Sequence, residues 1–336
     1  MSVPVTIRDV ARAADVSPAT VSRTFVRPEK VDAVTRERVL SAAARLDYRP
    51  NRAAQSLITG LTGNIGIVVP DLTNPFFPSV VRGIQSRAEE LGYPVLLVDT
   101  GEDAARESEL VTRLARQVDG LVLCAARMPD EDLVAHRQQR PMVLINREIP
   151  GVPAITFDNE GGIAQEVNHL KALGHVRIGY VAGLGTSYSS RVRQRAVTKH
   201  LAAAGLAEVA VGSFAPTFEG GRSAAEKVLL ANVTAVMVYN DVMALGLINQ
   251  LAQYGVSVPN DLSVVGYDDI EFASMSNPAL TTVRIPREEA GSLAMSYLNA
   301  LMTATGPAPE PPAQLKTQFI FRGTSIRAQP TQTPAE

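Results

Sequence analysis

The sequence holds a single cysteine, Cys124, no tryptophan, and four histidines among 336 residues. One thiol excludes an intramolecular disulfide and a cysteine-rich zinc site. The expected compartment is therefore the reducing cytoplasm. His136, His169, His175 and His200 are scattered with no metal-ligand spacing. No Gly-x-Ser-x-Gly elbow is present, and no histidine shares a recognisable motif with Cys124, so catalysis has no constellation to rest on. The longest apolar runs, residues 65–70 and 235–239, are far too short to cross a bilayer. Residues 1–25 carry Asp9, Asp15 and several arginines where a secretory signal would need an apolar stretch. Neither a cofactor, a metal nor a membrane is expected.

Net charge is also scarce, at −2, but it is unevenly spread. Residues 1–60 sum to +4 and the remainder to −6. A small basic end on an acidic body fits a nucleic-acid-binding segment joined to a domain with another task. A length of 336 residues with 46% hydrophobic side chains allows two or three folded domains.

Within the basic end, residues 6–23 read as two short helices with a tight break. Thr6 precedes Asp9 by three residues, an acidic variant of the capping box. Ile7, Val10, Ala11 and Ala14 then share one helical face. Asp15-Val16 interrupts the pattern, Ser17 is placed to cap a second helix, and Pro18 takes its first position, where a missing N–H costs nothing. Val21 and Phe25 form the inner face of that helix, leaving Ala19, Thr20, Ser22 and Arg23 mostly outside. A third helix is predicted over residues 34–46 through Val39, Leu40, Ala43 and Leu46. Such a unit is a helix-turn-helix candidate whose second helix is free to enter a major groove.

The strings Thr6-Ile7-Arg8-Asp9-Val10-Ala11, Ala14-Asp15-Val16-Ser17 and Thr20-Val21-Ser22-Arg23 closely resemble the DNA-binding headpiece of the LacI/GalR family of transcriptional regulators. That resemblance implies a dimer on a palindromic operator. Arg23 is the candidate for bidentate pairing with a guanine. Ser17, Thr20 and Ser22 would hold phosphates, which position without specifying. The family's specificity positions fall on Pro18 and Ala19, neither of which carries a side-chain donor. The stretch Tyr48-Arg49-Pro50-Asn51 through Ala54 and Leu57 resembles the family's hinge, which folds on the operator and wedges a leucine between central base pairs. Leu57 occupies that position, and Gln55 stands where many members carry arginine. Thr6, Asn51 and Ala54 complete the expected DNA-facing set.

From residue 64 onward, apolar runs alternate with amphipathic helices. Strands are predicted at 65–69, 95–98, 121–123, 142–145, 178–181, 236–239 and 262–266, with helices at 77–91, 104–116, 130–138, 190–204, 221–230, 242–254 and 290–302. This is a doubly wound α/β pattern in two lobes. It resembles the periplasmic-binding-protein-like core of the same family through Asp71-Leu72-Thr73-Asn74-Pro75-Phe76-Phe77, Leu173-Gly174-His175, Asn240-Asp241, Gly266-Tyr267-Asp268-Asp269 and Pro278-Ala279-Leu280-Thr281-Thr282. The expected organisation is a headpiece at 1–50, a hinge at 51–62, a core at 63–327 and a disordered tail at 328–336. Within the core, lobe one takes 63–157 and 285–313, and lobe two takes 158–284 and 314–327.

Ligands bind beyond the carboxyl ends of such strands. Those ends supply Phe76, Asn146, Arg147, Arg193, Asn240 and Asp268, a set of acceptors, amides and guanidiniums beside an aromatic ring that suits a sugar or related metabolite. By resemblance, Arg193 and Asp268 match the family's effector-contacting arginine and aspartate, and Asn240 a sugar-contacting asparagine. Arg147, Arg191 and Arg193 together point toward an anionic effector such as a sugar acid or phosphate. The expected function is a repressor, dimeric or tetrameric, controlled by a small metabolite in the core. Two rivals are a solute-binding protein without a DNA role and a sugar- or nucleotide-converting α/β enzyme.

Overall fold

The computed structural model describes residues 5–49, 60–306, 310 and 314–329. The expected hinge residues Asn51, Ala54, Gln55 and Leu57 lie outside the described residues. Two compact units divide the chain: Met1–Asn64 with Gln117–Asp119, and Ile65–Arg116 with Gly120–Glu336.

In the first unit, α1 (Ile7–Ala13), α2 (Pro18–Val26) and α3 (Ala33–Arg45) enclose a small core of Val10, Ala11, Ala14, Val21, Val39, Ala42 and Ala43. Thr6 donates its N–H and its hydroxyl to the Asp9 carboxylate at 3.0 and 2.7 Å. Those two bonds, with Arg12 beyond them, hold the carboxyl below its ordinary range. Asp15 makes the break between helices by taking a left-handed backbone, φ 51°, which aspartate adopts more readily than most residues. Val16 then returns its N–H to Ala11 O at 3.0 Å. Ser17 Oγ accepts from Thr20 N at 3.1 Å and caps α2. The buried face of α2 is Val21 with Thr24, whose hydroxyl is satisfied by Thr20 O at 2.9 Å; Phe25 is half-buried, 6.0 Å from the Tyr48 ring. At the far end of this unit, the Asp119 carboxylate accepts the N–H groups of Thr62 and Gly63 at 2.8 and 2.7 Å.

The second unit opens with β1 (Ile65–Val69), α4 (Phe76–Glu90), β2 (Val95–Asp99), α5 (Ala104–Leu114), β3 (Gly120–Cys124), α6 (Asp130–Gln139), β4 (Met142–Ile145) and β5 (Ala154–Ile155). Its strands form one parallel sheet in the order β2-β1-β3-β4-β5. β1, β3 and β4 are buried throughout, as their unbroken apolar sequences require.

After α7 (Asn159–Ala172) come β6 (Arg177–Ala182), α8 (Tyr188–Ala204), β7 (Ala207–Ser213), α9 (Phe218–Ser223), α10 (Ala225–Leu230), β8 (Ala235–Val238), α11 (Asp241–Gln253) and β9 (Ser263–Val265). A second parallel sheet runs β7-β6-β8-β9. Next are α12 (Glu271–Met275), β10 (Thr282–Arg284), α13 (Arg287–Thr303) and β11 (Gln318–Ile320), which pairs antiparallel with β10. α13 returns to the first sheet and packs on α4. Glycine permits that approach, since a Cβ on Gly83 would stand 2.0 Å from Glu288 O and one on Gly291 2.2 Å from Val80 O. Two crossings lie side by side: Asp158 N donates to Leu315 O at 2.8 Å, and Leu315 N to Thr156 O at 2.9 Å.

Three departures from the periodicity stand out. The helix expected at 221–230 is two, broken at Ala224. α7 and β7 carry no clear pattern, the first diluted by Gly161-Gly162, the second a half-exposed edge strand. Ala328, expected to begin a tail, donates its N–H to Leu173 O at 2.8 Å.

Candidate functional site

The chain carries two candidate sites of different character, one in each unit. On α2, Ser17, Pro18, Ala19 and Arg23 are exposed, while Thr20 and Ser22 are half-buried. Among the described residues, Arg23 enters no ion pair or side-chain hydrogen bond, so its guanidinium faces solvent. Ser17 and Thr20 are partly spent on each other, their hydroxyl oxygens 2.9 Å apart. Thr6, expected to face DNA, gives its hydroxyl proton to Asp9.

The second site lies between the two parallel sheets, at the switch point of each strand order. Its lining includes Asn74, Phe76, Glu102, Ala125, Arg127, Asn146, Ser189, Arg193, Tyr239, Asn240 and Asp268, and it keeps about 20 Å³ of free space, room for about one water. α8 delivers Arg193, each of whose three guanidinium nitrogens has a fixed partner. Nη2 meets Asp268 Oδ1 at 3.0 Å, Nη1 meets Tyr239 O at 2.6 Å, and Nε meets Asn159 Oδ1 at 3.2 Å. Its guanidinium stacks 3.8 Å from the Tyr267 ring centroid and 5.0 Å from that of Tyr239. Burial opposes the charge on Arg193, and Asp268 with the tyrosine rings more than offsets it, so the proton is held more tightly than usual.

Arg127 performs the corresponding task from the other sheet. Its Nε and Nη2 take both Glu102 oxygens at 2.6 and 3.0 Å, and Nη1 donates to Ala125 O at 2.8 Å. The same Nη1 reaches Ser187 Oγ, the cap of α8, at 3.3 Å. Beneath it, buried Glu107 Oε1 accepts the N–H groups of Arg127 and Met128 at 2.8 and 2.9 Å, fixing the loop.

Backbone strain gathers at this cleft. Glu102, Ala125, Asn146 and Asp268 hold φ of 62°, 46°, 58° and 115° although none is glycine, a conformation that costs energy and persists where the surroundings enforce it. Two acids sit behind Arg193. Asp241 accepts from Thr282 Oγ1 at 2.6 Å and Ile270 N at 2.9 Å, and burial with the Asp268 carboxylate raises it well above the ordinary range. Glu166 is fully buried with Oε1 unpartnered, and burial raises it likewise against the pull of Arg193. Burial, aided by Glu107, pushes the Cys124 thiol up to about 12, which leaves it inert at neutral pH.

Of the six residues expected in the pocket, Phe76, Asn146, Arg193, Asn240 and Asp268 line this one cleft. Arg147 is not among the lining. Its guanidinium donates to Ala126 O and Met128 O, both at 2.7 Å, and pairs with Asp130, so it braces the 126–130 loop instead. Asn240 Oδ1 is spent as the cap of α11, accepting from Met243 N at 2.9 Å. Arg191 folds onto Gly185 O and Thr186 O. Sequence reasoning missed Arg127 and Glu102, which lie 25 residues apart in loops with no motif of their own.

Comparison with known proteins agrees with both halves. Residues 6–51 match "Bacterial regulatory proteins, lacI family", and residues 167–325 match "Periplasmic binding protein-like domain". The chain is 36% identical over 303 residues to the HTH-type transcriptional repressor CytR of Escherichia coli, covering 87% of this chain and 88% of that one. It is 37% identical over 310 residues to the HTH-type transcriptional regulator GalS of Salmonella typhimurium, covering 90% and 91%. Its structure matches the lac repressor dimer bound to operator and the anti-inducer ONPF at a TM-score of 0.83 and 32% identity, over 96% of this chain and 100% of that one. The chain belongs to the lacI family of bacterial regulatory proteins, and is a DNA-binding transcriptional regulator with a periplasmic-binding-protein-like core.

Proposed function

We propose that this regulator is a repressor that binds a palindromic operator as a homodimer and answers to a small polar metabolite, a sugar or sugar derivative, held in the core cleft. The observation that carries the reading is the outward face of α2, where Arg23 offers an unpaired guanidinium beside the capped Ser17–Thr20 turn. Arg23 reads a base edge, and Ser17, Thr20 and Ser22 grip phosphates. Pro18 and Ala19 add shape and apolar contact, with Thr6, Asn51, Ala54 and Leu57 completing the DNA-facing set. The lac repressor structure holds operator and a small molecule together, and we carry that arrangement to this chain. Phe76, Asn146, Arg193, Asn240 and Asp268 then contact the effector, and its binding changes operator affinity by a coupling of about 1–3 kcal/mol.

The role is non-catalytic and cytoplasmic in this reading. The relatives are transcriptional regulators, and among the described residues no helix is long and apolar enough to cross a membrane. The test is duplex binding by the full chain and by a chain lacking residues 1–60, using a palindromic operator selected from a random library. Binding should vanish on truncation. Retained binding would place the DNA contact elsewhere and sink the repressor reading.

A further inference from the structure

The charges of the cleft are arranged in a way that bears on which ligand it admits. Every guanidinium on its lining is already matched by a carboxylate: Arg193 by Asp268 at 3.0 Å from one sheet, Arg127 by Glu102 at 2.6 and 3.0 Å from the other. The formal charges of the lining cancel. Of the arginines nearby, Arg147 is held by Asp130 and two carbonyls and Arg191 by two carbonyls; Arg287, which is not on the lining, gives Nη2 to Asp269 O at 2.8 Å and leaves Nη1 buried without a partner among the described residues. A phosphate or carboxylate entering here would bring a second anion to a guanidinium that already has one, an arrangement of like charges in a confined space that burial penalises further.

A hydroxyl meets the opposite reception. It donates one proton and accepts on two lone pairs, so beside a guanidinium–carboxylate pair it can accept from the first and donate to the second while both stay paired. Two adjacent hydroxyls span such a pair, and the cleft presents one pair from each side. Asp268 Oδ1 serves Arg193, while Oδ2 takes no hydrogen bond among the described residues. The Asn146 side-chain amide likewise takes no hydrogen bond among the described residues and stands on the lining. Phe76 and Tyr239 add aromatic surface for the apolar face of a ring.

We propose that the cleft selects an uncharged ligand bearing vicinal hydroxyls, a free sugar or the ribose of a nucleoside, and that the Arg127–Glu102 pair is the specificity element that turns away phosphorylated and carboxylated ligands. This inference rests on the cleft being the effector site, and it reverses the anionic effector that the arginine count alone suggests. Arg127 is suited to the task because the same guanidinium that holds Glu102 also reaches Ser187 Oγ on the opposite wall at 3.3 Å. Its orientation is therefore fixed from both sides before any ligand arrives.

The experiment is calorimetric titration of the full chain with ribose, glucose and uridine, each against its charged counterpart: ribose 5-phosphate, gluconate with glucose 6-phosphate, and uridine monophosphate. An uncharged member should bind at least tenfold tighter than its counterpart, and the sugar and nucleoside arms separate the two sources of the diol. Glu102→Gln frees Arg127 and should shrink that preference about tenfold; Arg127→Lys, which keeps the charge but loses the two-pronged grip, should weaken the uncharged ligand. A charged member binding as tightly as its parent overturns the proposal. An unchanged preference in folded Glu102→Gln removes the pair from its assigned role. Should no panel member bind at millimolar concentration, the inference falls, and the regulator reading stands or falls separately on operator binding.

Discussion

Arg23 and Arg193 show how one side chain serves opposite ends. Arg23 stands exposed on α2, with no ion pair among the described residues. Arg193 is almost wholly buried, with each nitrogen of its guanidinium bonded to Asp268, Tyr239 or Asn159 and its face set against two tyrosine rings. A polyanion is gripped by charge that is still available. A neutral ligand is recognised by charge already spent, because a compensated ion pair keeps direction and hydrogen-bonding capacity without net attraction. The difference also divides their energetic roles. In the proposed reading Arg23 serves binding and little of folding, whereas Arg193 serves both.

Substitution to alanine separates the two most sharply. Arg193→Ala strips the counter-charge from Asp268 and should destabilise the core by about 3–5 kcal/mol, the cost of breaking a buried pair by one partner. Denaturant melts check this, and a loss below about 1 kcal/mol would show that Asp268 takes up a proton or water cheaply. Arg23→Ala should leave the melt unmoved and cost about 1–3 kcal/mol of operator affinity, concentrated at one base pair per half-site. Equal weakening on all sequences would make Arg23 a phosphate contact.

The comparison also explains what could be foreseen. The headpiece is local: caps, turn and inner face all fall within residues 6–25, so Thr6, Asp9, Ser17, Val21 and Phe25 are placed by spacing, and Thr24, buried beside them, is the inner-face residue the apolar pattern does not mark. Cleft residues come from strand ends far apart in sequence, and only those embedded in a family motif, such as Asp268, stood out. Arg127 and Glu102 had no such marker. Arg147 was drawn into the expected set by position alone, and nothing in the sequence shows that Ala126 O, Met128 O and Asp130 consume it. The split of α9 from α10 was hidden for a packing reason. Gly221 lets that backbone press on α11, where a Cβ would stand 1.9 Å from Met243 O.

A smaller effect probes the surroundings of Arg193. Burial holds the Glu166 carboxyl above its ordinary range, Arg193 draws it down, and Asp241 pushes it further up. An acid raised on folding supports the folded state fully below its unfolded pKa, and that support is lost as pH rises through the folded value. Glu166→Gln removes the loss. The variant should be more stable than the parent at pH 8, on the order of 1 kcal/mol, with the gap closing toward pH 4. Melts across that range check it, and parallel profiles would mean that Glu166 ionises as freely folded as unfolded.

The smallest effect concerns two aspartates with left-handed backbone, Asp15 at φ 51° and Asp268 at φ 115°. At Asp15 the side chain is exposed and makes no hydrogen bond or ion pair among the described residues, so the position asks only for the conformation. Glycine adopts it without a Cβ penalty but loses more entropy on folding. These terms nearly offset, and Asp15→Gly should change headpiece stability by no more than about 0.5 kcal/mol, with operator affinity intact. Asp15→Val should cost about 1–2 kcal/mol, because a branched side chain crowds the carbonyl in this region. Melts of the two variants test whether the turn is set by backbone alone. If glycine proved as damaging as valine, the Asp15 carboxylate would have a partner of its own. At Asp268 the same change to glycine would ease the backbone and still fail, because Arg193 needs the carboxylate that the strained conformation delivers.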